Sequence, residues 1–335
     1  MAPVTLALDA MGGDVGPAVT VPAACRFVTQ HVDCSMILIG LETDIRRYLP
    51  GGQLPPRLEI QIASQVVAMD EPPASALRKK KDSSLRVAIN LVKSGRADAC
   101  ISCGNTGALM ATARFVLKTL PHIDRPAIIA SVPAVDGRTW MLDLGANIDS
   151  SAEHLRQFAI MGAELIRAVD GVSQPVVGLL NVGQEDIKGS AQIRLAHQLV
   201  SKSGLNYAGY VEGDDIYLRA GLDLVVTDGF AGNIALKTSE GVAKLIKTLL
   251  QREYRQNWLR RLAAVCSLPV LKSMQQQIDP RCYNGAALLG LRGIVVKSHG
   301  GADQFALEHA LSIAKKEVRA NVPDRIADRV AVQLA

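Results

Sequence analysis

Short apolar runs that alternate with longer amphipathic stretches restrict the fold of this 335-residue sequence more than any other feature. An apolar run of about four to eight residues predicts a buried strand, and a longer stretch with helical periodicity predicts a helix. The apolar runs cover residues 4–8, 36–39, 58–62, 99–102, 127–131, 139–142, 176–180, 225–227 and 294–296. Strands that alternate with helices predict a largely parallel sheet that is covered by helices on both faces.

The composition fits such a sheet and argues against other classes of protein. Hydrophobic residues make up 48% of the chain and aromatic residues only 4%, which indicates an aliphatic core rather than a disordered chain. No apolar run is long enough to span a bilayer, and the first residues do not have the pattern of a signal peptide. We therefore expect a cytoplasmic protein with free thiols. The net charge of +5 suits anionic substrates without requiring nucleic acid.

A weak internal repeat relates residues 97–104 to residues 222–229. Each copy has a small or apolar residue, Asp, three apolar residues, a hydroxyl residue, a variable residue and Gly. Each copy then leads through Asn into a predicted helix. The repeat predicts two related halves, each with a turn at the carboxyl end of a strand, where open α/β sheets bind ligands.

Cys100 and Cys103 form a C-x-x-C pair that suggests either zinc or redox chemistry. A structural zinc site requires a second pair of ligands at similar spacing, and Cys266 and Cys282 are too far apart in sequence to supply one. A redox pair lies at a helix N-terminus, whereas Cys100 falls within a predicted strand. Strand alternation places the two side chains on opposite faces, so we predict small core residues and no metal.

Four turns rich in small residues each follow a predicted strand, at 12–16, 104–107, 229–233 and 298–301. Glycine lets backbone N–H groups approach an anion, and a helix N-terminus adds a favourable dipole. A parallel sheet would bring these turns to one edge, which predicts an anion site there. Neither a G-x-G-x-x-G dinucleotide motif nor a phosphate-binding P-loop is present, and there is no G-x-S-x-G nucleophile motif.

Lys188 lies between the predicted strand at 176–180 and the helix that follows it. A lysine at the start of a helix is mildly unfavourable against the helix dipole, so this placement favours a functional role over a solvated one. The ammonium could hold a phosphate or protonate a leaving group.

Residues 241–275 carry seven basic side chains and a single acidic one, Glu253. An apolar stripe at every fourth residue, flanked by Leu259 and Ala263, consists of Tyr254, Trp258, Leu262 and Cys266. The pattern predicts a basic amphipathic helix that ends at Pro269. Its aromatic and leucine residues favour contact with a membrane surface or a partner over nucleic acid.

Six stretches together carry a resemblance to a known family: LALDAMGGDVGP, KKDSSLRVAINLVKSGRADACISCGNTGALMATA, LDLGAN, LLNVGQEDIKG, VTDGFAGNIALKTSEG and YNGAALLGLRGIVVKSHG. They occur in the family's order and span most of residues 5–300. The chain resembles the bacterial PlsX-type phosphate acyltransferases.

The resemblance implies one intertwined α/β domain over residues 1–335 with two pseudo-symmetric halves, in place of the two domains that chain length suggests. Its fold would be a three-layer α/β/α architecture with one mixed, mostly parallel sheet, similar to isocitrate/isopropylmalate dehydrogenases and phosphotransacetylases. A protruding helical hairpin would occupy residues 243–280. The family's members are homodimers on the inner face of the membrane. Here the membrane contacts would be Trp258, Leu259, Leu262 and Ala263.

The activity that the resemblance implies is transfer of a long-chain acyl group from acyl carrier protein to inorganic phosphate, giving an acyl phosphate for phospholipid synthesis. This reaction requires that the enzyme hold an anion, stabilise an oxyanion and protonate a thiolate, without a cofactor. We predict that Lys188 steers phosphate or protonates the thiolate and that Asn233 donates a hydrogen bond to the oxyanion. The predicted phosphate or substrate ligands are Gly104, Asn105, Thr106, Gly232, Lys297 and Ser298.

Two residues depart from the family pattern, and three other functions remain open. Cys103 stands where the family usually has alanine, which weakens the zinc and redox interpretations further. Gln184 stands where an acidic residue is common and leaves Lys188 with one fewer nearby carboxylate. The other functions are a phosphotransacetylase acting on CoA thioesters, a metal- and NAD-dependent hydroxyacid dehydrogenase, and a membrane-bound scaffold for lipid-synthesis proteins.

Overall fold

One mixed sheet of eleven strands runs through residues 3–334, the part of the chain that the computed structural model describes. The strands are β1 Val4–Asp9, β2 Cys34–Gly40, β3 Leu58–Ile62, β4 Ala99–Ser102, β5 Ala127–Ala134, β6 Gly137–Leu142, β7 Val176–Leu180, β8 Asn206–Val211, β9 Leu224–Val226, β10 Ala286–Leu289 and β11 Ile294–Lys297. Each of the nine predicted strands overlaps one of these. The sequence analysis missed β8, which contains Gly209, and β10, which is only four residues long.

Twelve α-helices lie within the described residues. They are α1 Pro17–Gln30, α2 Glu42–Arg47, α3 Pro73–Lys79, α4 Ser84–Lys93, α5 Thr106–Leu117, α6 Ala152–Asp170, α7 Ala191–Ser201, α8 Asp215–Leu218, α9 Gly229–Arg255, α10 Trp258–Ile278, α11 Gln304–Arg319 and α12 Val322–Leu334. Helix α4 begins after Ser83, which caps it by accepting a hydrogen bond from the backbone N–H of Arg86.

The strand order is β3-β2-β1-β4-β11-β10-β5-β6-β9-β7-β8. Seven of the ten neighbouring pairs are parallel, as predicted. The other three pairs, β11 with β10, β10 with β5 and β5 with β6, are antiparallel and lie next to one another. Three successive reversals turn the direction around, so β6, β9, β7 and β8 run opposite to β1, β2, β3, β4 and β11.

This reversal corrects the prediction that all four small-residue turns share one edge of the sheet. The carboxyl ends of β1, β4 and β11 lie at one edge, whereas those of β6, β9 and β7 lie at the opposite edge. The turn at 229–233 therefore does not join the other three. The two strands of the sequence repeat also hold different positions, since β4 is fourth from one end of the order and β9 is third from the other. The two-halves hypothesis stays a prediction.

Helices cover both faces of the sheet, and alternate side chains of β1 pack against helices on opposite faces. Ala7 packs with residues of α4 and α5 on one face, whereas Leu6 and Leu8 pack with residues of α1 and α11 on the other. In the second half, Met141 shares the face of α4 and α5 with α8 and the start of α9. The opposite face there is covered by α6, α7 and α12. The start of α9 and the whole of α5 thus lie on the same side of the sheet.

Helices α9 and α10 contact each other and are joined by only two residues, Gln256 and Asn257. Asn257 caps α10 by accepting from the backbone N–H of Arg260, which separates Tyr254 from the rest of its predicted stripe. The prediction that Pro269 ends the helix is wrong, because α10 continues through it to Ile278. A proline removes one backbone hydrogen bond, and the turns on either side keep the helix together.

The α10 surface is exposed along its whole length, since no residue of this helix is buried. Trp258 is 71% exposed, Leu259 59% and Leu262 55%, and Ala263 is exposed too. No helix within residues 3–334 is both long and apolar enough to cross a membrane.

Candidate active site

The turns after β1, β4 and β11 touch one another at their shared edge of the sheet. A Cβ atom added to Gly12 would lie 2.7 Å from the backbone nitrogen of Gly104, and one added to Gly13 would lie 2.9 Å from the carbonyl oxygen of Gly300. The backbone N–H of Asp14 donates to that same carbonyl at 2.9 Å. Because any side chain at position 12 or 13 would push these backbones apart, glycine is what lets the three turns form one surface.

A buried carboxylate, Asp9, fixes the shape of the turn after β4. The hydroxyl of Ser102 donates to Asp9 Oδ2 at 2.7 Å and accepts from the backbone N–H of Gly104 at 3.0 Å. Burial raises the pKa of Asp9. The Asp9–Ser102–Gly104 chain of hydrogen bonds holds the Gly104 N–H inward, so Asp9 acts on the geometry of the turn.

Lys297 provides a buried ammonium at this edge. The residue is 9% exposed, and its Nζ donates to the carbonyl oxygen of Cys103 at 3.3 Å and to that of Ser298. A lysine ammonium has three donors, so one remains for a ligand. Burial lowers the pKa of Lys297, and the negative charges of Asp14 and Asp9 oppose that shift. A desolvated cation with a spare donor is suited to holding an anion.

Ser298 is fully buried beside Lys297, and Asn284 fixes its hydroxyl. The Asn284 amide donates to Ser298 Oγ at 2.9 Å, and its carbonyl oxygen accepts from the backbone N–H of His299 at 2.9 Å. The backbone N–H of Ser298 donates to the carbonyl oxygen of Ser102 at 3.0 Å. The structure therefore brings Gly104, Lys297 and Ser298 together at one edge of the sheet, where the sequence analysis expected them. Sequence reasoning missed Asn284, although it lies within the YNGAALLGLRG stretch.

Asn105 stands at this edge, but its side chain is fully engaged with the protein. Its Oδ1 caps α5 by accepting from the backbone N–H of Ala108 at 2.9 Å. Its Nδ2 donates to the carbonyl oxygens of Met69 and Glu71 at 2.8 and 2.9 Å. The side chain thus ties the turn to the segment before α3. Thr106, the first residue of α5, is exposed. Because Thr106 lies at a helix N-terminus, its contribution to binding an anion comes from the unpaired backbone N–H groups there.

The remaining predicted residues lie at the opposite edge, around a second buried carboxylate. Asp143 accepts hydrogen bonds from the backbone N–H groups of Ile128, Ala146 and Asn147, and burial raises its pKa. A Cβ atom added to Gly232 would lie only 2.0 Å from the carbonyl oxygen of Asp143. The first turn of α9 therefore packs backbone to backbone against the loop after β6.

Asn233 and Lys188 are both exposed at this second edge. Asn233 lies against Gly145, where an added Cβ would approach the Asn233 Cβ to 3.5 Å. Lys188 lies on the loop after β7, with its Nζ 3.6 Å from Glu185 Oε1. Gln184, the residue that departs from the family pattern, donates to Asp215 Oδ2 at 3.3 Å.

Helix α9 connects the two edges and adds a residue that sequence reasoning missed. It starts at the second edge and runs back along the sheet, so two turns bring Lys237 about 12 Å from Gly229. Burial lowers the pKa values of Lys297 and His299, and the nearby Lys237 ammonium lowers both further. Asn233 and Lys237 are four residues apart and share one face of the helix. The only signal in the sequence was the position of Lys237 within VTDGFAGNIALKTSEG.

The C-x-x-C pair is part of the core, as predicted. Cys100 and Cys103 are buried in different hydrophobic clusters on the two faces of the sheet. Burial raises the pKa of both thiols, which leaves them protonated and unreactive at neutral pH. Among residues 3–334, no group of three or more His, Cys, Asp or Glu side chains is placed to hold a metal ion.

The fold is similar to those of two groups of solved structures. A phosphotransacetylase from Streptococcus pyogenes aligns with a TM-score of 0.65 at 17% identity, covering 95% of this chain and 94% of that one. A 4-hydroxythreonine-4-phosphate dehydrogenase from Klebsiella pneumoniae aligns with a TM-score of 0.52 at 13% identity, covering 95% and 100%. The fold therefore defines an α/β protein of the class that includes phosphotransacetylases and these dehydrogenases.

Sequence comparison is more specific than the fold. A family model described as fatty acid synthesis protein matches residues 4–325. Phosphate acyltransferase from Methylococcus capsulatus is 57% identical over 328 residues, covering 97% of this chain and 96% of that protein. Phosphate acyltransferase from Alkalilimnicola ehrlichii is 58% identical over 334 residues, covering 99% and 97%. This chain belongs to the PlsX-type phosphate acyltransferase family, as its motifs predicted.

Proposed function

We propose that this enzyme transfers a long-chain acyl group from acyl carrier protein to inorganic phosphate, giving an acyl phosphate for phospholipid synthesis. The observation that carries the proposal is the buried Lys297 ammonium, which keeps a donor for an anion beside the backbone of the Gly104 turn. Lys237 adds a second positive charge to this edge from α9. Lys237 also pairs with Glu240 at 2.9 Å, so the positive charge that α9 brings to this edge is partly compensated.

The chemistry requires binding and positioning more than a reactive side chain. An oxygen of phosphate attacks the thioester carbonyl, the carbon–sulfur bond breaks, and the thiolate of the carrier takes up a proton. We assign phosphate to Lys297, Ser298 and the backbone of the Gly104–Thr106 turn. Asn233 would donate to the oxyanion from the face of α9 that it shares with Lys237, the residue one turn further towards the phosphate ligands. Gly232 allows the first turn of α9 to pack against the backbone of the Asp143 loop. Lys188 would steer phosphate or protonate the thiolate.

The experiment that tests this function is mass spectrometry of the products formed from palmitoyl carrier protein and phosphate. We expect palmitoyl phosphate and free carrier protein. Acetyl-CoA is the parallel substrate, and a preference for it would instead make the enzyme a phosphotransacetylase. Partner binding with no acyl phosphate formed would favour a scaffold.

The same assay examines the two exposed polar residues at the second edge. We expect Lys188→Ala and Asn233→Ala each to lower turnover about a hundredfold, because each removes one group that acts on the transition state. Lys202→Ala, which replaces an exposed lysine just after α7, serves as the control. Turnover of either variant equal to that of the control would remove that residue from the mechanism.

We also propose that α9 and α10 form the hairpin implied for residues 243–280 and that this hairpin meets the inner face of the membrane. Its support is the exposed apolar surface of α10, which includes Trp258 and Leu262, next to basic side chains. The protein would be a cytoplasmic, peripherally bound homodimer. We assign its sheet and helices to the three-layer isocitrate/isopropylmalate dehydrogenase-like architecture.

Replacing Trp258 and Leu262 together with Glu should release the protein from anionic liposomes, because charges on the apolar face oppose insertion into the interface. Activity in solution should stay within about twofold of the parent, since both side chains are exposed and lie on α10. Liposome flotation measures the binding, and size-exclusion chromatography with light scattering measures the oligomeric state. Unchanged flotation together with a monomer would show that the apolar face serves the dimer instead.

A further inference from the structure

A groove between α3 and α5 combines exposed apolar surface with uncompensated positive charge. Its cavity of 470 Å³ is lined by Leu77, Ala111, Arg114, Phe115, Lys118 and Thr119. We call this surface the α3–α5 groove. It is separate from the hairpin and from the two sheet edges described above.

Phe115 is the apolar centre of the α3–α5 groove and is 52% exposed. The guanidinium carbon of Arg86 lies 5.1 Å from the centre of its ring, and the ammonium of Lys118 lies 4.9 Å away. Two cations held against one exposed aromatic ring give a surface that offers both apolar contact and charge.

The cations around the groove have no acidic partners. Among residues 72–120 the only acidic side chains are Asp82 and Asp98, and both accept hydrogen bonds from backbone N–H groups, of Ser64 and Thr5 respectively. The three cations at the groove, Arg86, Arg114 and Lys118, form no ion pair with any residue in the range 3–334. Such a concentration of one charge around an apolar surface is suited to an acidic partner.

The groove stands at a fixed distance from the candidate phosphate site. Helices α3 and α5 begin side by side, because a Cβ added to Gly107 would lie 2.7 Å from the ring of Pro73. They run in the same direction, since Leu77 and Ala111 line the groove one turn further on. Phe115 is nine residues beyond Thr106, which starts α5 at the phosphate turn, so the groove lies about 14 Å from that turn.

We propose that the α3–α5 groove docks an acidic, amphipathic helix of the acyl carrier protein. This inference rests on the function proposed above. A carrier protein delivers its thioester at the end of a flexible arm, so its body must dock at a distance from the reacting atoms. Carboxylates of the partner helix pair with the basic rim, and an apolar side chain packs on Phe115. The concave shape and single aromatic ring suit one helix better than a flat lipid surface.

Charge reversal in the groove tests the proposal. We expect the double variant Arg114→Glu with Lys118→Glu to lower kcat/KM for acyl carrier protein about 10- to 100-fold, mainly through KM. Activity with an acyl-pantetheine thioester, which has no protein body, should be unchanged. The steep fall of wild-type kcat/KM with rising salt should also be lost, because the screened charges are gone. Phe115→Ser keeps every charge and should raise KM for the carrier alone.

A matched control reverses two exposed cations elsewhere, Arg47→Glu with Lys202→Glu, at the ends of α2 and α7. This control changes net charge by the same amount and should leave KM for the carrier unchanged. An equal loss in the control, or equal loss with the pantetheine thioester, would overturn the docking assignment. The docking assignment would also be overturned if the groove variants used the carrier protein normally but bound liposomes or nucleic acid less well. Absence of acyl phosphate from the wild-type enzyme would instead overturn the proposed function itself.

Discussion

Replacing Lys297 with Met should lower turnover about 10²- to 10³-fold, the cost of removing one preorganised donor from a transition state. Lys297 is the buried ammonium of the candidate phosphate site, and two of its three donors are already held by backbone carbonyl oxygens. Met has a similar length and no charge, so the variant removes the anion contact with little change in shape. The KM for phosphate should rise as well, because ground-state binding uses the same donor.

The stability of the Lys297→Met variant distinguishes a role of Lys297 in binding phosphate from a structural role. Burial of a lysine ammonium is unfavourable, which is why the pKa of Lys297 is lowered, but Met also removes the two hydrogen bonds to carbonyl oxygens. Because these effects oppose each other, Lys297→Met should unfold within a few degrees of the wild type. Lys202→Met removes an exposed lysine just after α7 and should leave both activity and stability unchanged. Steady-state kinetics against phosphate and thermal unfolding measure the two effects. A stable Lys297→Met enzyme with a wild-type kcat/KM for phosphate would refute the assignment.

Adding a single methyl group at Gly232 should destabilise the protein by about 3 kcal/mol or more and abolish most activity. The new Cβ would lie 2.0 Å from the carbonyl oxygen of Asp143 and 2.9 Å from the Thr227 side chain. The carbonyl belongs to the backbone and cannot rotate away, so the first turn of α9 must move. That movement displaces Asn233 at one edge and Lys237 at the other.

Gly241→Ala provides the matched control, in the same helix and with the same added methyl group. A Cβ at Gly241 meets no atom within 4 Å, and the residue is exposed. Alanine is the better helix former, so this variant should be more stable by about 0.5–1 kcal/mol and fully active. Denaturant unfolding measures the free energy of unfolding of both variants, which should decrease for Gly232→Ala and increase for Gly241→Ala. Equal stability of Gly232→Ala and wild type would mean that α9 does not pack on the Asp143 loop as described.

The sequence determined the local elements of this fold because their causes are local. Apolar runs such as 58–62, 99–102 and 176–180 have the bounds of β3, β4 and β7 to the residue. The alternation of a strand was enough to place Cys100 and Cys103 on opposite faces and to remove them from the chemistry. The order of the motifs was likewise sufficient to identify the family.

Only the tertiary structure decided which of those elements face the same edge. Strand direction depends on pairing between distant segments, and the three antiparallel pairs formed by β11, β10, β5 and β6 leave no local signature. Their reversal moved the turn at 229–233 away from the turns at 12–16, 104–107 and 298–301. Parallel pairing alone had predicted one common edge.

Side-chain roles at the site were also beyond the sequence, since they depend on neighbours far along the chain. Asn105 was a predicted phosphate ligand, and in the folded chain its amide is held by carbonyl oxygens of residues 69 and 71. The sequence analysis did not identify Asn284 or Lys237 as site residues. In the folded chain the Asn284 amide donates to Ser298 Oγ, and the charge of Lys237 lowers the pKa of Lys297. The sequence by itself determined nine of the eleven strands, the glycine turns and the family. The tertiary structure decided which charges meet, because contact between distant residues is fixed by packing and not by local pattern.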